Sequence, residues 1–169
     1  FYGDLQSVTL PKGLLSIGDS AFSYCSGLTS IIIPESVTSI GDSAFSNCNN
    51  LSSIVISDSV TSIGSNAFEE CDSLKSVMLS NSLLSISDYT FSGCDSLQSV
   101  TLPKGLLSIG NYAFSYCTSL SSIIIPNSVT TIGDYAFDWC WLDEITLSDG
   151  LVTIGEGAFE GCSLTKVNR

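Results

Sequence analysis

Seven cysteines are the most reactive side chains in this 169-residue chain: Cys25, Cys48, Cys71, Cys94, Cys117, Cys140 and Cys162. A thiol can serve as nucleophile, metal ligand, disulfide half or small apolar filler with a weak S–H donor. A nucleophile needs an activating base, and the chain has no His. Zinc needs ligands converging at spacings such as C-x2-C, whereas these cysteines stand 22 or 23 residues apart. Seven is odd, so complete internal pairing is impossible, and side chains projecting in parallel do not favour the S–S torsion near 90°. The cysteines are therefore expected as core groups. No catalytic residue, metal site or cofactor is expected, because phosphate-binding glycine loops, G-x-S-x-G elbows and D-x-D-x-D-G calcium loops are all missing.

Other side chains suggest recognition. Tyr112, Tyr116, Tyr135, Trp139 and Trp141 gather near one part of the chain, with Tyr89 leading the tyrosines, and flat aromatic surfaces suit sugars or protein anchors. Asp19, Asp42, Asp88 and Asp134 share one register and Asp72 and Asp95 another, and both sets read as a solvated, solubilising surface. The net charge of −12, with five Lys and Arg against seventeen Asp and Glu, excludes a phosphate-neutralising surface for nucleic acid and disfavours anionic membranes. No apolar run approaches the roughly 20 residues of a membrane helix, so no membrane insertion is expected.

The elements that position these residues follow from a repeat. Phe22, Phe45, Phe68, Phe91, Phe114 and Phe137 recur every 23 residues, and Phe159 follows after 22. Leu5, Leu28, Leu51, Leu74, Leu97, Leu120, Leu142 and Leu164 complete the frame, the last two steps being 22. One unit reads L-x-x-I-x-I-P-x-x-V-x-x-I-G-x-x-A-F-x-x-C-x-x, as in Leu28 through Asn50. A longer period overlies it: QSVTLPKGLLSIG at 6–18 returns unchanged at 98–110, so 5–96 and 97–169 are related by duplication of a four-unit block. Residues 1–169 thus form a single repeat solenoid of about seven units, expected to be a fragment of a longer array.

Within a unit, Ile31 and Ile33 alternate with Ile32 over a short strand that a Pro or Ser ends. Val37 and Ile40 make a second extended segment closed by Gly41, and the following Asp is placed to cap a single helical or 3₁₀ turn through Ala44 and Phe45. Leu28, Ile31, Ile33, Val37, Ile40, Ala44, Phe45 and Cys48 point inward and stack on their counterparts, so each coil buries its core only through its neighbours.

Written this way, the unit resembles the BspA-like, or Treponema-type, leucine-rich repeat, I-x-I-P-x-x-V-x-x-I-G-x-x-A-F-x-x-C-x-x-L, over almost all of residues 5–167. Ser57, Ser80 and Ser148 replace the Pro, Ser87 the Gly and Thr90 the Ala, which makes the Ser87/Thr90 unit the least regular. The resemblance implies a leucine-rich-repeat-like right-handed coil, with a parallel β-sheet on a concave face and short strands or 3₁₀ turns on the other sides. It also implies an extracellular or cell-surface location, since members are mostly secreted or surface-attached and several are described as adhesins.

Function is then sought in outward columns. The residue between the two inward strand positions forms one: Thr9, Ile32, Val55, Met78, Thr101, Ile124 and Thr146. Alternation turns it outside, yet Ile32, Val55 and Met78 are apolar and adjacent, which marks an interaction surface. A serine column beside it, from Ser7 to Ser122, supplies a polar rim. The expected function is a non-enzymatic protein-binding or adhesion module that works through the concave face, with the host extracellular matrix or another cell-surface protein as partner. The alternative is a structural spacer or a self-assembling module without a specific ligand. The chain begins FYGDL and stops at LTKVNR inside a coil, and uncapped ends offer end-to-end self-association.

Overall fold

In the computed structural model, which describes residues 5–168, each unit closes one coil of a β-solenoid. Coils 1 to 7 begin at Leu5, Leu28, Leu51, Leu74, Leu97, Leu120 and Leu142, and Leu164 opens the first strand of an eighth. The two chain ends, where the sequence suggests uncapped coils, fall partly on residues 1–4 and 169 and lie outside the described residues. Among the described residues no helix is long and apolar enough to cross a membrane.

Two series of short strands run along the solenoid. Numbered in chain order, the L-x-x-I-x-I segments supply β3 (Ser53–Val55), β5 (Ser76–Met78), β7 (Ser99–Thr101), β9 (Ser122–Ile124), β11 (Glu144–Thr146) and β13 (Lys166–Asn168). The V-x-x-I segments supply β1 (Ser16–Ile17), β2 (Ser39–Ile40), β4 (Ser62–Ile63), β6 (Ser85–Ile86), β8 (Ser108–Ile109), β10 (Thr131–Ile132) and β12 (Thr153–Ile154). All pairs are parallel and in register by one unit, so Ile54 lies opposite Val77 and Val77 opposite Val100. The register turns each sequence column into a physical ladder.

All eight inward positions of the second unit are buried, as are most of their counterparts. The phenylalanine rings stack through the core with centroids 5.3–5.5 Å apart. A small residue before each Phe leaves room for the ring in a close-packed interior: Ala44, Ala67, Ala113 and Ala136 are fully buried.

The turn side differs from the Asp-capped helical turn expected there. In coil 2 the N–H groups of Ser43, Phe45 and Asn47 donate along the axis to Ser65, Ala67 and Glu69, each at 2.8 Å. The intervening Ser46 and Cys48 donate back to Ser43 and Phe45 within the coil, at 3.1 and 3.2 Å. A helix would direct every amide into its own turn; here left-handed backbone at Ser43 (φ 52°) and Asn47 (φ 59°) turns alternate amides toward the next coil. The aspartates likewise serve the next coil and not their own turn. Asp19 Oδ1 accepts from the Asp42 N–H at 2.9 Å, and Asp42, Asp88, Asn111 and Asp134 repeat the contact one coil further on each time.

This contact explains the glycine that six of the seven units carry at this position. A Cβ on Gly41 would lie 2.6 Å from the Asp19 backbone nitrogen, with Oδ1 nearer still, so only hydrogen fits between stacked coils. Ser87 breaks the rule in coil 4, and no strand pairing joins β4 to β6 there. Its hydroxyl donates instead to the Ile63 carbonyl at 2.6 Å, and Thr90 Oγ1 donates to the Ser87 carbonyl at 2.7 Å. The irregular coil anticipated from these two residues is therefore the point where the second ladder opens.

The first ladder opens elsewhere. β3, β5 and β7 form one sheet and β9, β11 and β13 another, with no pairing between β7 and β9. That joint is flanked by SVTLP and SIIIP, the same two segments that flank the joint between coils 1 and 2, where they form no strand at all.

Candidate interaction surfaces

The strand column faces outward along the sheet. Ile32 is 84% exposed, Val55 59%, Met78 64% and Ile124 71%, whereas their neighbours Ile31, Ile33, Ile54, Ile56, Val77 and Leu79 are buried. Thr9 and Thr101 are also exposed, and Thr146 is half-buried. Period-2 geometry accounts for this: β3, β5 and β9 each bury their middle residue and present their last one. Ser7, Ser30, Ser53, Ser76, Ser99 and Ser122 flank the column and are exposed. Shallow grooves open between coils 2 and 3, bordered by Ile32 and Val55, and between coils 5 and 6, bordered by Thr101 and Ile124.

A further apolar column escaped the reading of the sequence. Leu15, Leu84 and Leu107 are 48–67% exposed at the first x of V-x-x-I, where coils 2, 3 and 6 carry Thr38, Thr61 and Thr130. The signal was the choice of Leu over Thr at a position that strand geometry turns outward.

The aromatic residues fall into two ladders on the turn side. Tyr89, Tyr112 and Tyr135 stack at 4.8 and 5.1 Å, with planes within 14° of parallel. Tyr116 and Trp139 stack at 6.4 Å and 2° in the column before the cysteines, and Trp141 joins neither stack. All five stacked residues have left-handed backbone, φ 52–58°, a conformation that suits Gly and Asn and strains bulky side chains. Other coils place Ser20, Ser43, Asn66 and Gly157 in the first column and Tyr24, Asn47, Glu70, Gly93 and Gly161 in the second. The stacks are closed by glycine: a Cβ on Gly157 would strike the Tyr135 ring, and one on Gly161 would lie 3.1 Å from Trp139. Ring faces are thus largely covered by the next coil, leaving edges, hydroxyls and the outer parts of Tyr116, Trp139 and Trp141 in solvent, each at least half exposed.

Carboxylates surround these rings. Tyr135 Oη donates to Glu156 Oε1 at 3.4 Å. The negative charge of Glu156, with partial desolvation and Glu160, holds the Tyr135 phenol above its ordinary range. Tyr112 is raised by desolvation and then by Tyr89, Asp138 and Asp134. Burial, and then Glu160, pushes the Asp138 carboxyl up. Among the described residues the one ion pair is Lys166 Nζ to Glu144 Oε1, at 2.9 Å, on the strand side.

The thiols form a ladder inside the core. Cys48, Cys71, Cys94, Cys117 and Cys140 are buried free thiols and Cys162 is half-buried. Each S–H donates to a Phe carbonyl of the preceding coil at 2.9–3.2 Å. Burial pushes Cys48 up to about 12 from an ordinary 9.0 and raises Cys71 strongly, so the nucleophilic thiolate is suppressed. Iodoacetamide at neutral pH is expected to label these five thiols only after denaturation, as read by intact mass; complete native labelling would contradict a sealed ladder. The same shift sets an alkaline limit. An unfolded thiol ionises near 9.0 and folded Cys48 only near 12, so the unfolded state gains by ionising first. The ladder's contribution to stability is intact below pH 9 and is lost progressively as pH rises toward 12. No group of three or more Cys, Asp or Glu side chains among the described residues is arranged to hold a metal.

The sequence profile of the BspA type leucine rich repeat region, in six copies, matches residues 1–121 and 107–169. A leucine-rich repeat protein from Eubacterium ventriosum has a similar structure, with TM-score 0.84 and 34% identity, covering 92% of this chain and 42% of that one. One from Bacteroides ovatus gives TM-score 0.68 and 31% identity, covering 94% of this chain and 53% of that one. The T. pallidum leucine rich repeat protein gives 0.67 and 29%, with 98% and 70% covered. The chain therefore spans about half the length of the first two. None of the curated proteins matches it.

Proposed function

Because the chain belongs to the BspA-type leucine-rich repeat family, whose repeats account for it from end to end, we propose that it is a non-catalytic protein-binding module. Its partner docks on the outward strand column of Thr9, Ile32, Val55, Met78, Thr101, Ile124 and Thr146. The observation that carries this reading is the run of Ile32, Val55 and Met78, large apolar side chains on three consecutive coils, each more than half exposed. The sheet does not require them, since Thr fills the same position in coils 1 and 5, and Met is not a favoured strand residue. Contiguous exposed apolar area of this kind marks an interaction surface, and the flanking serines suit the polar rim such surfaces carry. We place the module outside the cell, in a secreted or surface-attached protein that adheres to the host matrix or to another cell. The buried thiols suit oxidising surroundings, because they are withheld from exchange.

The test replaces Ile32, Val55 and Met78 together by Thr, a residue the column already accepts. Binding to immobilised basement-membrane extract is expected to be lost by I32T/V55T/M78T while its melting temperature stays close to that of the parent. Undiminished adhesion by the variant would rule out this column as the docking surface. A parent chain that retains nothing from the extract would favour the spacer reading instead.

A further inference from the structure

Charge is segregated around the solenoid. Among the described residues every basic side chain, Lys12, Lys75, Lys104 and Lys166, stands in the strand segment or the turn directly after it. The turn side from the aspartate column to the cysteines carries only carboxylates, with Asp134, Asp138, Glu156 and Glu160 clustered in coils 6 and 7. These four surround the two aromatic ladders and none has a basic partner among the described residues. The rings are there despite their backbone, because Tyr and Trp adopt left-handed φ at a cost: the column of Tyr89, Tyr112 and Tyr135 holds Ser, Asn or Gly in every other coil, whereas the column of Tyr116 and Trp139 also holds Tyr24 and Glu70 beside Asn47, Gly93 and Gly161. Ring stacking recovers part of that cost, but it does not require Tyr116, Trp139 and Trp141 to leave half or more of their surface in water.

We propose that the turn side of coils 4 to 7 is a second docking surface, separate from the strand column, and that its occupant is an arginine-rich protein segment. Exposed indole and phenol carbons flanked by unneutralised carboxylates match a planar guanidinium, which stacks on aromatic carbon while donating to carboxylate oxygen. Ammonium groups meet the charge but use the rings less well. Neutral sugars, which stack on ring faces, find most of those faces covered within the ladders.

Fluorescence anisotropy with labelled nona-arginine and nona-lysine, at low and high salt, tests this on the whole chain. Nona-arginine is expected to bind more tightly than nona-lysine and to retain part of that preference at high salt, where bulk attraction is screened. Y112S/Y135S/W139N, which leaves net charge unchanged and installs residue types these columns already hold, is expected to weaken nona-arginine binding about tenfold, the scale of one or two lost cation–ring contacts. The same variant is expected to erase the preference over nona-lysine. I32T/V55T/M78T is expected to bind nona-arginine like the parent, which keeps this surface distinct from the strand column. Equal affinity for the two peptides, or parental affinity in a folded Y112S/Y135S/W139N chain, would reduce the binding to net charge and overturn the proposal. Binding of maltoheptaose in place of nona-arginine would overturn it in favour of a sugar surface.

Discussion

Phe68→Ala is expected to destabilise the chain by about 3–5 kcal/mol, which at roughly 2–4 °C per kcal/mol for a domain of this size lowers the melting temperature by roughly 6–20 °C. Phe68 is fully buried, and its ring stacks on Phe45 at 5.3 Å and on Phe91 at 5.5 Å. Truncation removes both contacts and leaves a cavity that stacked coils cannot close, because their spacing is fixed by backbone hydrogen bonds on either side. Phe159, half-buried, serves as an internal comparison and should lose less on the same change. A melting temperature unchanged by Phe68→Ala would mean that the ring ladder does not hold the coils together.

Gly64→Ala is expected to cost about 3 kcal/mol, toward the upper end for an overpacked site, although it adds one methyl group at a surface turn. The new Cβ would lie 2.5 Å from the Asp42 nitrogen and 2.6 Å from the Gly41 carbonyl carbon. Both are backbone atoms, so the coils must part. Coil 4 shows the form this takes, since Ser87 at the equivalent position accompanies the loss of pairing between β4 and β6. Gly105→Ala, where nothing lies within 4 Å, should be neutral or slightly stabilising, as expected when only the unfolded chain is restricted. Thermal melts of the two variants side by side give the comparison. Equal melts would show that the glycine column is not a packing constraint.

Much of the fold could be read from the sequence because a period assigns many positions at once. Leu28, Ile31, Ile33, Val37, Ile40, Ala44, Phe45 and Cys48 all proved buried, since each position is sampled seven times and its apolar character averages clearly. The outward direction of Ile32, Val55 and Met78 followed from alternation alone. The turn side was less legible. An Asp after a Gly reads as a local cap, because helix capping is a short-range rule, but its partner here is one whole unit away and visible only once coils are stacked. Left-handed backbone under Tyr89, Tyr112 and Tyr135 was hidden for a related reason, as nothing in a tyrosine announces positive φ. Leu15, Leu84 and Leu107 are less legible because Thr38, Thr61 and Thr130 in coils 2, 3 and 6 dilute their column.

The joints of the two strand ladders are offset. The strand side opens between coils 5 and 6, where β8 and β10 remain paired, and the opposite ladder opens between coils 3 and 4, where β3 and β5 remain paired. Masonry laid with staggered joints has the same property: no straight crack can pass through it without breaking a course. A pull along the axis therefore finds no cleavage plane, and tension on a tethered molecule would be shared between coils, not concentrated at one seam.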